Sequence, residues 1–145
     1  EAMHAAVRAS FPPDLDPSSR VLWRHDHNDM EHTIYMVSPE APDASHLVEN
    51  SGWQTRPAMT ADYQPLLSSL RIGQQWHFEL VAVTERDVLR FRKGKSWQHP
   101  VNIAMARFRG ELEITDTGQL RDALTNGMGR GKAYGCGLLT LAHLE

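Results

Sequence analysis

Helix and strand signals alternate along this 145-residue chain in an order that few folds accommodate. The first half has the order helix, strand, strand, helix, strand. The second half, without its short strand signal at 111–115, has strand, strand, helix, strand. The first order is that of a β-α-β-β-α-β unit, the ferredoxin-like arrangement, without its first strand. The second is the same unit without its opening strand and helix. We therefore predict an α+β fold of two tandem ferredoxin-like domains, over residues 1–83 and 84–145, each incomplete.

The individual elements are predicted from apolar periodicity and from end signals. In the opening helix Met3 and Val7 share one face, and Pro12 ends the helix. Further helices are predicted over 62–70 and 116–126, the latter with a capping box at its start. The predicted strands are 21–24, 32–38, 76–83, 88–94, 101–108, 111–115 and 137–142. Two of them, 88–94 and 101–108, are expected to pair as a hairpin.

Charge is distributed unevenly between the two halves. Residues 1–83 carry 5 Lys and Arg against 11 Asp and Glu, whereas residues 84–145 carry 10 against 7, so the second half has the positive balance. The net charge of −3 argues against a nucleic-acid partner, because phosphate binding needs surplus cations. The asymmetry nevertheless favours an anion-binding face in the second half, with a solvated strand edge as the alternative.

The compartment is predicted from what the sequence lacks. It has one cysteine, which excludes an internal disulfide and a multi-cysteine zinc site. No run is long enough for a membrane span, and no signal-peptide pattern is present. We therefore expect a cytoplasmic protein with no membrane partner.

The stretch with the most specific chemistry is GMGRGKAYGCG, residues 127–137, called the glycine-rich loop below. It has five glycines in eleven residues, with Arg130 and Lys132 among them. Glycine lets a phosphate backbone approach closely and lets backbone N–H groups turn toward an anion. The spacing fits neither a dinucleotide fingerprint nor a nucleoside triphosphate loop. The alternative is a plain connection between a helix and a strand.

Three stretches together resemble the CasE family (also called Cse3) of type I-E CRISPR systems. The strongest is residues 108–144, within which GCGLLTLA is nearly a signature. The second is the opening, where His4 is followed after six residues by Phe11-Pro12. The third is the hairpin pattern VLWR…IYMVSP, residues 21–39. The family also has a strand before the position of Glu1 and a long basic linking stretch. We expect a break relative to the family close to Val83–Thr84, where a strand meets a charged segment without a turn signal.

The resemblance implies two RRM-like domains of the RAMP type that bind the CRISPR repeat stem-loop and cut the precursor RNA at the base of the stem without a metal. It implies that the protein then stays on the guide RNA with the other subunits of Cascade. His4 falls on the family's catalytic histidine. Glu1 stands where the family commonly has a helper tyrosine, and a carboxylate there could orient His4. The loop residues that inherit an RNA-contact role are Gly129, Arg130, Gly131, Lys132, Ala133 and Tyr134.

The residue types suit this chemistry. RNA has its own nucleophile, the 2′-OH, so a protein needs only to align it, move protons and stabilise the phosphorane. Histidine titrates near neutrality, so His4 could act as general acid or base. Arg8, one turn further along, is predicted to stabilise charge together with Arg130 and Lys132. The expected products are a 2′,3′-cyclic phosphate or 3′-phosphate and a 5′-OH, and no cofactor is expected.

A second basic segment, RFRKGK, places Arg90, Arg92, Lys93 and Lys95 within six residues of a hairpin. We interpret it as another RNA phosphate contact, with a solvated strand edge as the equal alternative. Nearby Trp97 could stack on a base or pack against the protein.

Two rival functions remain open from the sequence. One is a non-catalytic ferredoxin-like RNA-binding subunit. The other is a metal-dependent phosphodiesterase that uses His25, His27 and His32, the three histidines of the first hairpin. Because these histidines lie in a polar hairpin turn, the turn is the simpler explanation, and we expect no metal.

Overall fold

The structure is a computed structural model, and it describes residues 2–16, 20–28, 30–43, 45, 56–88, 91–93, 96–98 and 101–144. Within these residues the elements, in chain order, are α1 (Ala2–Ala9), β1 (Leu22–His27), β2 (His32–Val37), α2 (Gln64–Ser69), β3 (Gln75–Val88), β4 (Phe91–Lys93), β5 (Ser96–Gln98), β6 (Val101–Glu113), α3 (Thr117–Asn126), a short 3₁₀ helix (Lys132–Tyr134) and β7 (Leu139–His143). This mixture confirms the predicted α+β class.

The described strands form three antiparallel sheets. β1 pairs with β2, β4 pairs with β5, and a three-stranded sheet has the order β6-β3-β7. The β1–β2 hairpin turns at Asn28, whose side-chain oxygen accepts from the N–H groups of Met30 and Glu31. An Asn side chain that accepts in this way replaces a backbone partner, so the turn is locally encoded.

The larger core lies between the three-stranded sheet and helices α2 and α3. Strand alternation turns Trp76, Phe78 and Leu80 of β3 toward this core, where Leu70 and Leu124 of the helical layer are fully buried. The α3 helix begins as predicted, because the side chain of its N-cap residue accepts from the backbone N–H three residues later.

A smaller core joins α1 to the first hairpin. Val7 of α1 is fully buried, and Phe11 and Trp23 are nearly so. The Ser10 hydroxyl donates to the Ala6 carbonyl at 3.2 Å and is buried with the helix end. The apolar face of α1 therefore rests on β1 and leaves the opposite face outward.

Strand β3 differs from the prediction. Residues 76–83 were assigned to the first domain, but β3 pairs with β6 on one side and with β7 on the other. The strand itself is confirmed. Its partners, which strand periodicity does not specify, both lie in the second half of the chain. The strand also continues through Val83–Thr84, where the register shifts by one residue. The division of the chain into two domains at 83–84 stays a prediction.

The second-half hairpin also differs. β6 is one strand that combines the two segments predicted at 101–108 and 111–115, and β4 pairs with β5 rather than with β6. Gly110 does not end the strand, because the Phe78 ring covers it: a Cβ there would lie 3.1 Å from Phe78 Cε1. A strand glycine at this position marks close packing rather than a turn.

An ion-pair network fixes the first hairpin to the three-stranded sheet. Arg24 of β1 is buried, and its guanidinium contacts both carboxylate oxygens of Asp26, at 3.0 and 3.1 Å. It also donates to Thr140 Oγ1 at 2.8 Å and lies 3.3 Å from the Glu79 carboxylate. Arg107 completes the network at 2.8 Å from Asp26 and 2.9 Å from Glu79. The network thus links β1 with β3, β6 and β7.

Candidate nucleic-acid interface

The helix that carries His4 lies beside the glycine-rich loop. α1 contacts the 3₁₀ helix of Lys132–Tyr134, although His4 and Lys132 are 128 positions apart in the sequence. Arg8 is exposed one turn after His4 on α1. The fold therefore brings the predicted acid–base residue and the predicted loop into one region.

His4 has one ring nitrogen directed into the protein. Its Nδ1 is buried and has no hydrogen-bond partner among the described residues, while the residue as a whole is half-buried. A neutral imidazole has one donor and one acceptor nitrogen. With Nδ1 enclosed, Nε2 is the nitrogen left to exchange a proton with a bound molecule.

Three glycines of the loop, spaced four residues apart, are packing positions. A Cβ on Gly127 would lie 2.8 Å from Leu22 Cδ2, and one on Gly135 would lie 2.8 Å from Trp23 Cζ3. A Cβ on Gly131 would overlap the side chain of Val83. Gly137 shares this role, since a Cβ there would lie 2.8 Å from the Met128 carbonyl oxygen. Sequence reasoning missed this role, because the contacts are made by residues distant in the sequence.

Gly129 differs from these four glycines. It also has a positive φ, of 74°, but nothing lies within 4 Å of the place where its Cβ would stand. This is the position where glycine leaves the backbone open for the close approach of another molecule.

The loop is closed at its base and presents unused donors at its tip. The Met128 N–H donates to the Gly137 carbonyl at 2.9 Å, and the Gly137 N–H donates to Val81 of β3 at 2.8 Å. Within the described part of the chain, the N–H groups of residues 129–133 have no acceptor. Backbone N–H groups without an internal acceptor are donors that an anion can satisfy.

The cations of the loop have different roles. Arg130 is exposed and forms no ion pair within the described ranges, so its charge is available to a ligand. Lys132 is half-buried, and its Nζ donates to the Gly129 carbonyl at 3.0 Å. Lys132 therefore also holds the loop in shape. Ala133 and Tyr134 lie on the 3₁₀ helix, and Tyr134 is 43% exposed.

The second basic segment is described only in part. Arg92 and Lys93 lie on β4, opposite Trp97 and Ser96 of β5. Arg90 and Lys95 lie outside the described residues, as does Glu1. The phosphate contact at this segment stays a prediction.

The three histidines of the first hairpin do meet. His25 Nε2 lies 2.8 Å from His32 Nδ1, and the ring of His27 is centred 5.5 Å from each of the other two. Burial lowers the pKa of His25, as do the neighbouring His32 and His27, while Asp26 opposes them. No group of three donors among the described residues has the geometry to hold a metal ion. The two closest imidazoles bind each other instead.

The family model of CRISPR associated proteins matches this chain over residues 1–84 and 80–143. The chain belongs to this CRISPR-associated family. The family resemblance predicted from the sequence is thereby confirmed. The two matched ranges overlap at 80–84, where a break relative to the family was expected.

Solved structures with the same fold include CRISPR endoribonucleases. The structure of Cse3 bound to 19-nucleotide RNA superposes with a TM-score of 0.71 at 20% identity, over 97% of this chain and 89% of that one. Thermus thermophilus Cse3 bound to an RNA representing a pre-cleavage complex gives 0.67 at 20% identity, over 97% and 87%. A chain of a CRISPR RNA-guided surveillance complex, pre-nicking, gives 0.56 at 20% identity, over 98% and 89%. At these identities the likeness establishes the fold, and it confirms the predicted tandem ferredoxin-like type.

No curated protein matches the chain. Among the described residues, no helix is both long and apolar enough to cross a membrane.

Proposed function

We propose that this chain is a metal-independent endoribonuclease that cleaves CRISPR precursor RNA at the base of the repeat stem-loop. The observation that carries the proposal is the contact between α1, which holds His4, and the 3₁₀ helix of the glycine-rich loop. The proposal is supported by the loop beside this helix, where among the described residues several N–H donors have no acceptor and Arg130 forms no ion pair. The RNA-bound endoribonucleases that share the fold add support.

The proposed reaction uses only groups of this chain and the RNA. The 2′-OH attacks the adjacent phosphorus, the bond to the 5′-oxygen breaks, and a 2′,3′-cyclic phosphate and a 5′-OH result. His4 Nε2 takes the 2′-OH proton or gives a proton to the leaving 5′-oxygen, a contribution of about 10²–10⁴ in rate. Arg8 and Lys132 would offset the charge that develops on the phosphorane.

The loop would hold the RNA backbone before and after cleavage. A phosphate over Gly129 can accept from the free N–H groups of residues 129–133 and from the guanidinium of Arg130. Retention of the product fits a role as a subunit of Cascade, which we propose on the likeness to a chain of a surveillance complex. The cytoplasmic location predicted from the sequence is part of this proposal.

The test is a single-turnover assay on the full chain with an end-labelled CRISPR repeat hairpin and excess chelator. We expect one cut at the stem base, with a cyclic phosphate or 3′-phosphate and a 5′-OH at the new ends. The His4→Ala variant is expected to bind RNA but not to cut it. His77→Ala is the matched control, because His77 is an exposed histidine on β3.

A wild-type chain that binds the hairpin and leaves it intact would indicate the non-catalytic RNA-binding subunit. Cleavage that chelator stops would indicate a metal-dependent enzyme.

A further inference from the structure

Trp23 stands between the two parts of the proposed active site. It lies on β1, is only 5% exposed, and packs with Val7 and Phe11 beneath α1. The outer edge of its six-membered ring lies against Gly135, the residue that ends the 3₁₀ helix. One side chain therefore contacts both the helix that carries His4 and the segment that carries Lys132.

Packing alone holds this indole in place. Its Nε1 is buried and donates no hydrogen bond to any described residue. The contact with Gly135 is close: a Cβ there would lie 2.8 Å from Cζ3, 3.0 Å from Cη2 and 3.1 Å from Cε3. Because carbon atoms pack at about 3.5–4.0 Å, a methyl group at Gly135 must move the ring or the loop by roughly 1 Å.

We propose that Trp23 is a positioning residue, whose indole sets the spacing between α1 and the 3₁₀ helix. This inference rests on the proposed function. Acid–base and charge-stabilising groups act on one phosphate only when both are in place, and a displacement of about 1 Å can lower a rate about 100-fold. The indole is the rigid spacer, and Gly135 is the position that lets the loop rest on it.

The first experiment compares Gly135→Ala with Gly73→Ala. Both glycines have positive φ, of 78° and 92°, so alanine strains the backbone at both. Nothing lies within 4 Å of a Cβ at Gly73, which precedes β3. With the repeat hairpin fully bound, Gly135→Ala is expected to lower the single-turnover rate constant about 10- to 100-fold, with Kd nearly unchanged. Gly73→Ala is expected to change neither quantity.

A second variant separates positioning from backbone strain. Trp23→Phe removes the outer ring and no hydrogen bond, so the double variant with Gly135→Ala has room for the new methyl group while the φ strain remains. The double variant is expected to cut about tenfold faster than Gly135→Ala alone. A double variant no faster than Gly135→Ala, or a wild-type rate for Gly135→Ala, would overturn the positioning role.

A third readout does not depend on cleavage. Hydrogen exchange is measured on peptides covering α1 and the glycine-rich loop in the free protein. Gly135→Ala is expected to speed exchange in both segments, and Gly73→Ala in neither. If the wild-type chain does not cut the repeat, the proposed function fails while this measurement still tests the spacer. Unchanged exchange in α1 would show that Trp23 does not link the two segments.

Discussion

The buried guanidinium of Arg24 is expected to contribute more to stability than any exposed charge nearby. Leaving a buried ion-pair partner alone costs about 3–5 kcal/mol. In this network the side chains of Asp26 and Glu79 stay 26% and 23% exposed, and Arg107 remains within 2.9 Å of both carboxylates. We therefore expect Arg24→Met, which keeps most of the aliphatic volume, to lower the free energy of unfolding by about 2 kcal/mol.

The assay is urea unfolding at pH 7, with Arg109→Met as the control. Arg109 contacts the same Glu79 carboxylate, but its side chain is 72% exposed. An exposed pair contributes about 0–1 kcal/mol, so the control is expected to change little. Arg24→Met is expected to lower the urea midpoint by roughly 1 M. Equal losses of unfolding free energy in the two variants would refute the conclusion that this network holds the hairpin on the sheet. A loss below about 0.5 kcal/mol for Arg24→Met would refute it as well.

The same network determines how the stability of the fold changes as the pH falls. Burial alone would raise the pKa of Asp26 and of Glu79, but hydrogen bonds from the arginines outweigh it, and the pKa of each carboxyl is lowered. A lowered folded pKa gives stability that is present above the unfolded pKa, near 4, and is lost as the pH falls through the folded value. Wild-type stability should therefore fall below about pH 4, and the fall should be shallower in Arg24→Met. If stability fell equally steeply with acid in the wild type and in Arg24→Met, this prediction would be contradicted.

The remaining predictions concern the proposed RNA site. His4→Ala is expected to abolish cleavage at pH 7 in chelator while the Kd for the hairpin stays close to wild type, and a fully active variant would defeat the acid–base role. The double variant Arg130→Ala, Lys132→Ala is expected to weaken binding and to reduce the slope of log K against log salt by about 2, and an unchanged slope would count against the loop as a phosphate site. Gly131→Ala is expected to destabilise the fold by about 1–3 kcal/mol more than Gly129→Ala, because both have positive φ but only Gly131 meets a neighbouring side chain. Equal losses of stability in Gly131→Ala and Gly129→Ala, measured by thermal unfolding, would contradict that difference between the two glycines.

Local signals predicted the elements well. Asp116 followed by Gln119 predicted the start of α3, and the observed cap hydrogen bond joins these two residues at 3.0 Å. The β1–β2 hairpin was likewise predicted, because its turn is built by neighbouring residues. Such features depend on a few consecutive side chains, which the sequence states directly.

Long-range features could not be predicted in the same way. The partners of β3 lie at Val101–Glu113 and Leu139–His143, and no periodicity within β3 distinguishes them from earlier strands. Arg24 is charged, yet it is buried, because Asp26 pairs with it and residues of two other strands, β3 and β7, contact it. Only the folded chain places those partners together.

The sequence identified residues of the candidate site, but it did not predict the role of every one. His4 and Lys132 were named from a family resemblance, and the fold places their helices in contact. The loop glycines were predicted to admit a phosphate and to turn N–H groups toward it, with a plain connection as the alternative. Four of the five meet other parts of the protein, and only Gly129 opens outward.

The closed base of the glycine-rich loop has a thermodynamic consequence. With its ends tied between Met128 and Gly137 and to Val81, the loop is expected to take its shape when the chain folds rather than when RNA binds. A segment that must be ordered on binding loses roughly 1–2 kcal/mol of backbone entropy per residue at that moment. A preformed loop avoids most of this loss. Calorimetry should therefore find a binding entropy for this site less unfavourable than that of a flexible arginine- and glycine-rich peptide of equal charge.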